Sequence, residues 1–85
     1  MDVSKAFGIA LRKLRISKGL TQEQLGFEAD LRRTFISSLE LGEKKPSLGE
    51  KKPSIETIYQ LSIAFEIPMS KLMKLVEKEM EISKK

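Results

Sequence analysis

The sequence predicts an all-α fold of five short helices, and three observations predict it. Apolar residues recur at spacings of three and four in Phe7/Leu11/Leu14, Ile55/Ile58/Leu61/Phe65 and Leu72/Leu75/Val76 with Met80. Thr21 and Gln24 form the Ser/Thr-x-x-Glu/Gln signature of a helix start. Gly19, Gly42, Pro53 and Pro68 punctuate the chain between these stretches. Eighty-five residues make one domain, expected to span 1–85, with a core modest enough that oligomerisation would add useful stability.

The first helix is expected over residues 4–18, with Ala6 and Ala10 filling beside its apolar row and Gly19 ending it. Arg12, Lys13, Arg15 and Lys18 occupy its other faces and read as a basic, solvated flank. The second helix, over 22–29, starts where the Thr21 and Gln24 side chains each satisfy a free amide of the first turn, with Leu20 and Leu25 placed as a hydrophobic staple. Gly26 gives the neighbouring backbone room. Ala29-Asp30-Leu31 must then turn sharply, which Asp tolerates because it enters the left-handed region and caps locally. The third helix runs over 33–41 to a stop at Gly42. With Ile36 and Leu39 turned inward, Arg33, Thr34, Ser37 and Ser38 fall on the opposite face.

Leu41-Gly-Glu-Lys-Lys-Pro-Ser47 is then repeated letter for letter as Leu48 to Ser54, a duplication inside one loop over 41–54. A helix begun at Ser47 would carry Gly49 and Pro53 in its interior, costing about 1 and 3 kcal/mol. Ser54 is therefore the expected start of the fourth helix, over 55–65. Doubling a loop adds only about 0.6 kcal/mol of closure entropy, so the fold should survive, and the added length permits helices four and five to exchange between protomers. The fifth helix, over 69–82, follows Pro68. Met69, Met73 and Ile82 broaden its apolar surface beyond what so small a core needs, and Ser83-Lys84-Lys85 should fray.

Thr-Gln-x-x-Leu, a small residue, and then Ile-Ser-x-Leu-Glu-x-Gly, read over residues 21–42, resemble the Cro and phage-repressor (XRE-like) family of helix-turn-helix DNA-binding regulators, and the resemblance extends over roughly residues 5–75. Leu-x-Arg-Thr-Phe-Ile-Ser is most similar to the small restriction-modification controllers. Asp30 departs from the glycine or asparagine usual at its position, and Arg32 from the usual Ser or Asp cap. The resemblance implies a five-helix, lambda-repressor-like domain whose third helix enters the major groove. It also implies a pair between Arg15 and Glu40 bracing the first helix against the third, and homodimerisation through the last helix, with Leu72, Leu75, Val76 and Met80 as the interface. Either copy of the heptamer, deleted, leaves the family's usual short connection.

On that reading Arg33 donates twice to guanine O6 and N7, Thr34, Ser37 and Ser38 make shorter contacts, and Phe35 touches a thymine methyl. Gln22, at the head of the second helix, and Arg32 are expected on phosphates, joined by Lys44, Lys45, Lys51 and Lys52 of the duplicated loop. Lys45→Ala should weaken all sequences alike and lower the salt slope by about 1. Residues 1–54 hold 11 Lys and Arg against 7 Asp and Glu, whereas 55–85 hold 5 of each, so the positive excess accompanies the second and third helices. With no His and no Cys the commonest metal ligands, nucleophiles and bases are missing, and no enzyme, metal or cofactor is expected. No apolar run approaches the roughly 20 residues of a membrane span and no signal peptide is legible, so a cytoplasmic, nucleoid-associated protein is expected. The expected partners are a palindromic DNA operator and a second copy; the alternative is an antitoxin-like regulator that holds another protein on its last helix.

Overall fold

The computed structural model describes residues 1–42 and 53–83, and these form five helices: α1 (Val3–Ser17), α2 (Gln22–Ala29), α3 (Arg33–Leu41), α4 (Ile55–Phe65) and α5 (Met69–Ser83). The duplicated heptamer lies largely outside the described residues, and so does any exchange of helices through it. The start of α1 is set by Asp2, whose carboxylate accepts from the Lys5 amide at 2.8 Å. At α2 the reciprocal pair forms: Gln24 N donates to Thr21 Oγ1 at 3.0 Å, and Thr21 N to Gln24 Oε1 at 2.8 Å. Ser54 caps α4 by accepting from Thr57 N at 3.1 Å. At the far end Ser83 is the last residue of α5 and its hydroxyl donates to Met80 O at 2.8 Å, whereas Lys84 and Lys85 lie outside the described residues.

The core gathers Ala6, Phe7, Ala10 and Leu11 of α1, Leu25 and Ala29 of α2, Ile36 and Leu39 of α3, Leu61 and Phe65 of α4, and Leu72 and Val76 of α5. Helix α1 packs against α3 and α5, α2 against α3 and α4, and α4 against α5. Three details depart from the sequence reading. Ile55 is 74% exposed, so the inward row of α4 starts at Thr57 and Ile58, and Ile55 joins Tyr59 and Ile63 in an exposed apolar row. The inward row of α5 is Leu72, Val76 and Glu79, spaced by four and three, and Glu79 accepts from Lys13 Nζ of α1 at 2.6 Å. Leu72 and Val76 are buried in the core of the chain itself; of the residues predicted for the dimer contact, Leu75 and Met80 are the two that keep exposed surface.

Two helices meet at Gly8. A Cβ there would fall against the carbonyl oxygen of Leu39 and 2.7 Å from that of Glu40, both backbone atoms of α3. Gly8→Ala is expected to cost about 1 to 3 kcal/mol, because α1 and α3 must separate and the gain in helix propensity is only about 1 kcal/mol. Urea unfolding of that variant against wild type measures it, and an unchanged midpoint would show that the two helices are not held this close.

Candidate nucleic-acid interface

Helices α2 and α3 are joined by a turn that the sequence makes tight. Asp30 adopts the left-handed conformation (φ 57°, ψ 46°), and Leu31 N donates to Gly26 O at 2.8 Å. A Cβ on Gly26 would stand 2.6 Å from Leu31 O, so the absent side chain is what lets the turn fold back on α2. Ile36 and Leu39 then anchor α3 by one face, with 0% and 7% exposure. The residues predicted to read DNA are distributed unequally over the rest of the helix. Arg32, Arg33 and Thr34 are exposed at its N-terminal end, Ser37 and Ser38 are half-buried, and Phe35 packs against the core with only part of its ring accessible.

The start of α3 is locally unfavourable. Its cap residue is Arg32, which makes no side-chain capping bond, where Ser or Asp would contribute about 1 kcal/mol. Two guanidiniums also stand at the positive end of the helix dipole, which disfavours cations by about 0.3 to 1 kcal/mol each. Neither arginine belongs to either ion pair found among the described residues. The charge therefore stands against the local rule at the tip of an otherwise well-anchored helix.

The opposite end of α3 is braced. Arg15 Nε donates to Glu40 Oε2 at 2.6 Å and Arg15 Nη2 to Glu40 Oε1 at 3.0 Å, while Nη1 donates to Leu20 O at 2.8 Å. The side chains are 13% and 5% exposed. The hydrogen bonds to Glu40 push the Arg15 pKa above its already high value, against the opposing effect of burial, so the guanidinium stays charged at every pH the protein meets. Gln22 enters the same cluster, its Nε2 donating to Glu40 Oε1 at 3.2 Å. Gln22 and Arg33 border one open depression at the N-terminus of α2, together with Leu20, Thr21 and Glu23. Lys44, Lys45, Lys51 and Lys52 lie outside the described residues.

Sequence reasoning assigned nothing to Phe27, which is 87% exposed on α2 beside the turn, or to Glu79. The spacing of Leu25 and Ala29 does point Phe27 outward, whereas nothing in the sequence marks Glu79 as buried. Among the described residues no three His, Cys, Asp or Glu gather at one place, and no helix is long and apolar enough to cross a membrane.

An all-α unit in which a short capped helix, a left-handed turn and an arginine-tipped helix follow one another is a helix-turn-helix DNA-binding domain. A family model described as "Helix-turn-helix domain" matches residues 8–78, and the chain belongs to this family, as an XRE-like DNA-binding regulator. It is 35% identical to the control protein C.MunI of Mycoplasma sp over 79 residues, 92% of this chain and 97% of that protein. It is also 49% identical over 48 residues to the control protein C.BamHI of Bacillus amyloliquefaciens, a match that spans 55% of this chain and 59% of that relative. Among solved structures, the restriction-modification controller protein C.AhdI from Aeromonas hydrophila superposes with a TM-score of 0.66 at 35% identity, covering 81% of this chain and 94% of that one. These relatives are regulators, a non-enzymatic kind of protein.

Proposed function

We propose that the chain binds double-stranded DNA sequence-specifically as a homodimer, laying α3 in the major groove of each half of a near-palindromic operator. The observation that carries this reading is the exposed Arg32-Arg33-Thr34 tip of α3, placed there at a cost to the helix and held out by the clamp at Glu40. Arg33 reads guanine through its two-pronged donor edge, Thr34, Ser37 and Ser38 contribute shorter contacts, and the accessible edge of Phe35 meets a thymine methyl. Arg32 and the backbone amides that open α2 hold phosphates, and Lys44, Lys45, Lys51 and Lys52 add to them. The likeness to the restriction-modification controller C.AhdI supports the genes of such a system as the regulated ones. Selection of bound duplexes from random sequence tests the reading: two inverted half-sites about 34 Å apart are expected, and enrichment of nothing, or of a sequence without symmetry, would contradict it.

The dimer contact is assigned to the exposed row Ile55, Tyr59 and Ile63 of α4 (74, 55 and 57% exposed), because Leu72 and Val76 are taken up by the core and Leu75 and Met80 are half-buried against it. A carboxylate within an apolar contact has no partner and costs several kcal/mol. Tyr59→Glu is thus expected to sediment as a folded monomer. A dimer that persists in Tyr59→Glu and dissociates in Leu75→Glu would return the contact to α5.

A further inference from the structure

The clamp on Glu40 is drawn from three helices, and one of its members has more than one possible task. Gln22 is the first residue of α2, where a side-chain amide is well placed for a phosphate oxygen. In the structure its Nε2 donates to Glu40 Oε1 at 3.2 Å. The direction of that bond is fixed by chemistry, since a carboxylate held by a guanidinium can only accept. Glu40 is the deepest member of the cluster, its side chain 5% exposed, and Oε1 is shared between Arg15 Nη2 at 3.0 Å and Gln22. Arg15 ties α3 to α1; Gln22 ties it to α2.

We propose that Gln22 is a positioning residue for sequence reading, setting the pose of α3 relative to α2 through Glu40. The inference rests on the major-groove reading given above. Glu40 and Arg33 are seven residues apart on α3, a separation of about 10 Å along the axis. The fully buried Ile36 lies between them, and one rigid helix joins the two ends. A change in the pose of α3 at Glu40 is therefore carried along the helix to the guanidinium of Arg33. A two-pronged contact with a base edge tolerates only about 0.5 Å or 10–20° of error. A phosphate contact is more forgiving and is blind to sequence, so losing the tie should cost discrimination and spare general affinity.

The test compares wild type with Gln22→Met, which keeps the length of the side chain and removes its donor. Dissociation constants are measured for a duplex selected from random sequence and for a scrambled duplex of equal length. In parallel, amide resonances of the two free proteins are compared. Gln22→Met is expected to weaken binding to the selected duplex about tenfold, the worth of one hydrogen bond to a charged group, and to change scrambled binding by less than about twofold. In the free protein, amide shifts should extend from residue 22 to Ser38–Leu41 and on to Arg33–Phe35. An equal loss on both duplexes would overturn the proposal in favour of a phosphate contact, and so would unchanged binding to both. Wild-type protein that fails to distinguish the two duplexes would sink the underlying major-groove reading, an outcome separable from failure of the Gln22 variant alone.

Discussion

Glu40→Ala is expected to destabilise the fold by about 3 to 5 kcal/mol, the cost of leaving a buried charge without its partner. Removing the carboxylate strands the guanidinium of Arg15, whose side chain is 13% exposed, with Leu20 O as its remaining acceptor among the described residues. Small domains are stable by about 5 to 15 kcal/mol in all, so a loss of this size removes a large share of the total. The other ion pair supplies the contrast. Lys13 is 64% exposed although its partner Glu79 is not, so the pair remains largely screened and Lys13→Ala should cost no more than about 1 kcal/mol. Replacing both members of the buried pair by apolar residues, Arg15→Met with Glu40→Leu, should recover most of the loss. Arg15 itself adds no pH dependence in the usable range: its raised pKa means that its contribution is complete below the ordinary guanidinium value and would be lost only as pH rose through the folded one. Urea unfolding measures all three variants, and a loss below about 1 kcal/mol for Glu40→Ala would show that the clamp is not a stabilising contact.

Arg33→Ala is the variant expected to affect function most. A two-pronged arginine–guanine contact discriminates by about 1 to 3 kcal/mol, and a homodimer on a palindrome makes it twice, so about 2 to 6 kcal/mol of preference should disappear. Binding to scrambled duplex rests on phosphate contacts, and loss of one base-facing cation per protomer should weaken it only slightly and lower the salt slope little. Stability should rise slightly, because the substitution removes one of two cations from the positive end of α3. This combination separates base reading from general attraction: affinity for the selected duplex falls, preference relaxes at one base pair in each half-site, and the fold gains. Equal losses on selected and scrambled duplexes would reassign Arg33 to the backbone of the DNA.

The contrast between α2 and α5 shows what the sequence could and could not disclose. The starts of α2 and α4 are written in local chemistry, since Thr21, Gln24 and Ser54 satisfy amides within a few residues of themselves. The turn at Asp30 is local in the same sense. Contacts between distant helices leave no such mark. Periodicity indicated that α5 has an apolar side, yet Leu72 and Val76 face α1 and the core, and the next inward residue is Glu79, admitted because Lys13 of α1 supplies a donor. Gly8 looks like a weak point in a helix until the carbonyls of α3 are seen against it. Ile55 looks inward by spacing and is outward because it shares, at steps of four residues, the face of Tyr59 and Ile63, while Thr57, Leu61 and Phe65 take the inward face. The pairing of Arg15 with Glu40, 25 residues apart, was legible only through the resemblance of residues 21–42 to a known family. The place of Gln22 in the same cluster was not legible at all.

The most direct measurement is a titration of the isotope-labelled protein with a duplex bearing a selected site, followed through its amide resonances at low ionic strength. If α3 occupies the major groove, the largest shifts will fall on Arg32–Ser38, with a second group at Thr21–Glu23 where α2 meets the phosphates. Shifts confined to the outer faces of α1 or α5 with residues 32–38 unmoved, or no shifts at any ratio, would contradict it.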